Sequence, residues 1–233
     1  MSLLFSNSGR RLLLLICAFA GLSIIAGAQS TSDQVWPEVD TFYNFNPKLR
    51  LEFMVSRSTD GASYNSIEFG PTLNYFARRF VTPRLTTPNR AKDNLLVLGA
   101  GYKYLAGINQ EPENRIELDF TTQLPLPGRI LLADRNRVDL RFIQASDFTW
   151  RYRNSLSAQR TLKIHRFVFS PYAQVEVYYS RSANSWNKTT VQAGVDLPFG
   201  KRFDIQPYYE RDNNIGSTPR YVNAFGLTAG LHF

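Results

Sequence analysis

Cysteine is almost absent from this chain: of 233 residues, only Cys17 carries a thiol. Histidine is nearly as scarce, with His165 and His232 alone. A disulfide framework is therefore excluded, and so is a metal centre of the Cys/His type, which gathers several such ligands at short spacing. Long apolar runs are missing apart from residues 12–26, so no later segment reads as a membrane-spanning helix. Apolar spacing at the helical period does not recur over any useful length. Acidic residues are in deficit, with 27 Lys+Arg against 19 Asp+Glu and a net charge of +8. The basic residues are dispersed instead of forming the run of a nucleic-acid arm, so no nucleic-acid partner is expected.

The one long apolar run has the form of an export leader. Arg10 and Arg11 precede it, and Ala26-Gly27-Ala28 ends it as a small-x-small cleavage site. An uncleaved anchor is the alternative, but no basic stop-transfer cluster follows. Lipidation at Cys17 is disfavoured, because Ile16 stands where a small residue is required. The expected division is a leader at 1–28, a short tail at 29–34 and one domain at 35–233. Loss of the leader removes Arg10, Arg11 and the thiol, and leaves a net charge of +6. An exported domain without disulfides must be held by backbone pairing and side-chain contacts.

What fills that domain is alternation, in segments of about ten residues, the length that crosses a bilayer as a tilted strand. Val39, Thr41, Tyr43 and Phe45 alternate with Glu38, Asp40, Phe42 and Asn44. Leu49, Leu51, Phe53 and Val55 alternate with Lys48, Arg50, Glu52 and Met54. Ile67, Phe69, Leu73 and Tyr75 form a third apolar face, and Leu96, Leu98, Ala100, Tyr102 and Tyr104 a fourth. In the centre, Ile116, Leu118 and Phe120 oppose Arg115, Glu117, Asp119 and Gln123. Val138, Leu140 and Phe142 oppose Arg135, Arg137, Asp139 and Arg141. Phe148, Trp150, Tyr152 and Leu156 oppose Arg151, Arg153, Ser155 and Gln159. Further strands are expected at 167–179, 188–197 and 203–211. The last runs to Phe233, with Phe225, Leu227, Leu231 and Phe233 on its apolar face. An aromatic final residue on such a strand is the assembly signal of bacterial outer-membrane barrels, so membrane lipid and the barrel-assembly machinery are the expected partners.

Connections alternate in character. Asn46-Pro47, residues 162–165 and residues 197–201 read as tight turns. Residues 57–63, 106–113, 180–187 and 211–220 read as looser loops. Short turns on the periplasmic side and longer loops outside are the barrel habit, and Phe233 sets that orientation. Eleven strands are readable, whereas single-chain bacterial barrels have even numbers. Twelve are expected, with a weak strand within 79–93, and ten are the fallback. The fold class is thus an all-β, up-and-down antiparallel transmembrane barrel. A soluble lipocalin-like barrel would show the same alternation with its apolar face inward. Strand length, aromatic residues toward strand ends and the Phe233 terminus favour the membrane form.

Residues 35–40 with the Asn46-Pro47 turn, Glu113-Asn114-Arg115, residues 134–137 and Trp150-Arg151-Tyr152-Arg153 together resemble the bacterial outer-membrane family labelled domain of unknown function 2490. The resemblance extends over nearly the whole exported domain. It implies a barrel in the outer membrane and no established activity or catalytic residues.

If the polar faces point inward, the lumen holds Arg115, Arg135, Arg137, Arg141, Arg151 and Arg153, with Glu117, Asp119 and Asp139 among them. Glu176, Asp196, Asp204 and Glu210 form an acidic wall expected to face them, joined by Glu38 and Asp40. The leading expectation is a scaffold whose lumenal charges pair. A narrow pore with an Arg wall favouring anions or acidic sugars is the alternative. A lipid esterase using His165 with Ser157 or Ser170 is a remote third. No cofactor is expected. Asp212-Asn213-Asn214 is read as an Asx turn before a calcium loop, and Gly99-Ala100-Gly101 as part of a strand instead of a nucleotide loop.

Overall fold

The structure, a computed structural model, describes residues 31–60, 63–79, 88–108, 110–165 and 167–233. The expected leader, with Cys17, lies outside the described residues. Among the described residues twelve strands follow one another: β1 Thr31–Asn46, β2 Leu49–Asp60, β3 Ser63–Arg79, β4 Asn94–Gly107, β5 Gln110–Leu126, β6 Ile130–Ile143, β7 Thr149–Arg160, β8 Leu162–Ile164, β9 Phe167–Ser180, β10 Ser185–Phe199, β11 Phe203–Asn214 and β12 Tyr221–His232. All except β8 make up the wall, in chain order, each antiparallel to the next. β12 then returns to β1 and closes the barrel as a parallel pair, from Thr31↔Tyr221 to Phe42↔His232.

That closure follows from an odd wall. Eleven up-and-down strands leave the first and the last running the same way, so the seam between them must be parallel. A parallel ladder is slightly weaker per residue than an antiparallel one, but it removes the free edges that would otherwise invite pairing with another chain. The strands total twelve, yet the even-number rule does not hold for the closed wall. Of the segment where a weak strand was sought, residues 80–87 lie outside the described residues and Arg90–Asp93 is a single turn of 3-10 helix. β1 begins at Thr31, within the 29–34 span expected as a short tail.

The period-2 pattern is realised inside out relative to a soluble barrel. Among the described residues the buried side chains are mostly polar or charged, including Glu113, Glu117, Asp139, Asp196 and Asp204, while the buried apolar set is as short as Phe42, Phe76, Val97, Leu105, Leu131, Tyr178 and Ala224. Leu118, Leu156 and Phe225 are 48%, 59% and 65% exposed. Exposed apolar side chains of this kind recur on every strand of the wall. The lipocalin-like alternative, with its apolar face inward, is thereby ruled out.

The connections differ from expectation in two ways. Two of the looser loops are hairpins, because β2 runs to Asp60 before β3 starts at Ser63, and β4 runs to Gly107 before β5 starts at Gln110. The expected turn at 162–165 is instead β8, which pairs with β9 from Leu162↔Phe169 to Ile164↔Phe167 and extends that hairpin past the wall. The longest connection, 80–93, leaves from the turn end.

The final strand shows why one of its faces is small. Tyr208 lies over Gly226, where a Cβ would fall inside the ring, and the Asp204 carboxylate lies 2.6 Å from where a Cβ of Gly230 would sit. Phe225, Leu227, Leu231 and Phe233 point outward and are exposed. Phe233 also locks the seam: its N–H donates to Phe42 O (2.8 Å), and its carbonyl accepts from Asn44 N (3.0 Å) and Asn44 Nδ2 (2.9 Å).

Candidate functional site

The lumen is the site, because that is where the fold concentrates polar chemistry. Its cavity, about 850 Å³, is lined from β1 around to β12. Strand register sets several like charges face to face on the basic side. Across β5 and β6, Arg115 stands opposite Arg141 and Glu117 opposite Asp139; across β6 and β7, Arg137 stands opposite Arg153. Like charges directly opposite repel, and they are offset by diagonal contacts and by the opposite charges that the same register sets face to face, Asp119 with Arg137 and Asp139 with Arg151.

Glu113 is central at the loop end. It accepts from Arg115 Nε (2.8 Å) and from Arg141 Nε and Nη2 (2.8 and 2.6 Å), so one carboxylate holds two opposed guanidiniums. Arg137 donates through Nε to Asp119 (2.7 Å), and its Nη1 lies 3.1 Å from Glu117. Arg151 pairs with Asp139 at 2.7 Å. Arg153 forks onto Glu176 (3.0 and 2.9 Å), which also takes Arg135 Nη2 at 3.0 Å and the Tyr178 hydroxyl at 2.7 Å. Forked guanidinium–carboxylate contacts of this kind are strong and directional. All six arginines read from the sequence are paired, Arg115, Arg137 and Arg141 through Glu113, Glu117 and Asp119, and Arg135, Arg151 and Arg153 through Asp139 and Glu176. Glu113 was the member that sequence reasoning passed over. Its alternation in phase with Arg115 and Glu117 was the available signal.

The acidic wall does not form as expected. Glu176 sits on β9, next but one to β6, and belongs to the arginine network instead of facing it. Asp196 and Asp204 lie at the turn end in separate contacts. Asp196 holds Lys92 of the 3-10 turn at 2.9 Å, and Asp204 holds His232 Nε2 at 2.7 Å. Glu210 remains in the cavity wall with Glu38 and Asp40. Among the described residues these three carboxylates make no ion pair, and Glu38 accepts only from Thr228 Oγ1 (3.1 Å).

The turn end of the lumen is crossed by the connection between β3 and β4. Asn89 accepts from Arg50 Nη1 (2.8 Å), Ala91 O accepts from Gln123 Nε2 (3.0 Å), and Lys92 reaches Asp196. The Arg50 guanidinium lies 4.5 Å from the Phe42 ring centre and 5.3 Å from that of Phe76. Phe42 in turn stacks on His232 at 4.6 Å. These contacts bind residues 88–93 across the lumen from several strands.

Other candidates fall elsewhere. Ser170 bonds Thr161 at 2.9 Å and Ser157 lines the cavity, while His165 is exposed at the tip of the β8–β9 hairpin. Asp212-Asn213-Asn214 continues β11, with Asp212 held by Lys188 (2.6 Å) and by Thr190. Gly99-Ala100-Gly101 is in β4. The outer face adds a ladder not foreseen: Asn154 Nδ2 donates to Asp134 (2.7 Å) and the Tyr152 hydroxyl donates to Asn136. These polar groups interrupt the apolar face of β6 and β7 and satisfy one another there.

A family model described as protein of unknown function (DUF2490) matches residues 33–223, nearly the full wall. No curated protein matches the chain.

Proposed function

The chain belongs to the family described as protein of unknown function (DUF2490), and from that premise we propose that it is an outer-membrane barrel whose charge-paired lumen acts as a rigid scaffold instead of an open passage. Export after loss of residues 1–28, and insertion guided by Phe233, are part of the same proposal. The observation that carries it is the pairing of all six lumenal arginines, with Glu113 and Glu176 each holding more than one. A pathway needs charges free to exchange partners with a solute. These are committed to one another, and residues 88–93 are tied across the turn end.

A narrow pore is the second reading, supported by the cavity of about 850 Å³. The pairing changes its selectivity. The arginines are neutralised where they stand, so they no longer give a solute path the anion preference expected of an Arg wall. Planar-bilayer recording of refolded protein separates the two readings. The scaffold predicts no single-channel steps. Discrete single-channel steps would replace it with the pore.

A further inference from the structure

At the turn end, away from the lumen, two turns meet. The Thr161 N–H donates to Arg129 O (3.0 Å), tying the segment after β7 to the β5–β6 turn. Arg129 and His165 both have left-handed backbone, with φ of 61° and 55°, a conformation that costs a residue with a side chain and is kept where surrounding structure imposes it. Between these turns lies a cavity of about 550 Å³ whose lining carries Arg129, Arg160, Lys163 and His165 and no carboxylate. All four side chains are exposed. Among the described residues none is in an ion pair, in contrast to the lumenal arginines. Beside them the β8–β9 hairpin presents Ile164 (57% exposed) and Phe167 (52% exposed), and the Phe167 ring stacks on Phe169 at 5.7 Å.

We infer that this cavity binds the phosphate-bearing headgroup of an anionic phospholipid in the turn-side leaflet. The inference rests on the membrane reading above. Unpaired guanidinium and ammonium groups with no acidic neighbour select an anion, and guanidinium matches phosphate oxygens in a fork. The apolar flank selects the source. A soluble phosphate has no use for Ile164 and Phe167, whereas a lipid places its headgroup among the bases and its acyl chains along the outward face of β9. Tethering the two turns through Thr161 brings Arg129 and Arg160 to the same headgroup from different hairpins.

Each basic residue near an anionic surface is worth roughly fivefold in association. Arg160→Gln/Lys163→Gln is therefore expected to lower the preference for phosphatidylglycerol over phosphatidylcholine by roughly twentyfold. Arg202→Gln, paired with Lys201→Gln on the β10–β11 turn at the same end, is the control and is expected to leave it unchanged. The measurement is retention of each lipid on the intact barrel, by native mass spectrometry after release from mixed bilayers, with and without excess inorganic phosphate. No preference in the parent protein, equal losses in both double variants, or displacement by inorganic phosphate would each overturn the proposal. Insertion is scored separately, as protease resistance in pure phosphatidylcholine vesicles. Failure there would overturn the membrane reading itself, and the lipid assignment with it.

Discussion

Replacing Glu113 with Gln tests the scaffold at its most connected point. Glu113 is 2% exposed and separates Arg115 from Arg141, which stand opposite each other across β5 and β6. Glutamine keeps the shape and removes the charge. Breaking one partner out of a buried ion pair costs about 3–5 kcal/mol, because the other charge remains buried without compensation. Here the loss divides unequally. Arg115 keeps Glu68 at 3.5 Å and Glu117 at 3.7 Å, whereas Arg141 loses its whole partner. The Arg141 side chain is 21% exposed, so it can turn partly toward water at the loop end. The expected cost therefore falls at the lower end, about 3 kcal/mol. With a urea dependence of about 2 kcal/mol per molar, that shifts the unfolding midpoint down by about 1.5 M. Equilibrium unfolding in lipid vesicles, followed by the fluorescence of Trp36, Trp150 and Trp186, reads the shift. Glu210→Gln, which breaks no ion pair, should stay within about 0.5 kcal/mol of the parent. A Glu113→Gln midpoint indistinguishable from that of Glu210→Gln would refute the reasoning. Converting Glu113 and Arg141 together to Leu and Met should recover most of the loss, since Arg115 keeps Glu68 and Glu117 and an apolar group is cheaper to bury than an unpaired charge.

Other outcomes follow from the same contacts. Gly226→Val should block assembly of the parent wall, because the Tyr208 ring occupies the space, and pairing it with Tyr208→Ala should restore heat-resistant mobility on gels. Lys92→Ala leaves Asp196, which is 1% exposed, without its 2.9 Å partner and should cost about 3 kcal/mol, whereas Lys92→Met with Asp196→Leu should cost much less; unfolding midpoints compare them. Asp134→Leu strips the ladder acceptor from Asn154 and should destabilise by about 1–2 kcal/mol, an effect the added Asn154→Leu should largely cancel. The stability lost on raising ionic strength to about 1 M should be small, because screening acts on exposed charges far more than on a lumenal network this buried.

Much of the wall could be read without coordinates. Phe120, Val138 and Tyr152 share one face of the wall and Asp119, Arg137 and Arg153 the other because the strand period is 2, and that grouping needs no knowledge of neighbours. Loop ends were less legible. Polar residues at 57–63 and 106–113 suit an exposed hairpin as well as a loop, so composition did not separate them. At 162–165 the short apolar residues of β8 pair only because β9 lies beside them.

The partners within the lumen were not legible at all. Alternation places Arg115, Arg141, Arg137 and Arg153 on one face, but register decides which of them come opposite one another, and register is not written in a period of 2. Once register is set, Glu113 and Glu176 become the shared acceptors, and Asp196 and Asp204 are drawn to Lys92 and His232.

The amino-acid order by itself determined that this is an all-β chain whose strands carry one apolar and one charged face, since alternation over about ten residues is a local property. Tertiary structure alone decided that eleven strands close through a parallel β1–β12 seam, that residues 88–93 are tied across one end of the lumen, and that the arginines are paired. Those outcomes depend on which distant strands exchange backbone hydrogen bonds, and closure is a condition on the whole ring that no single segment carries.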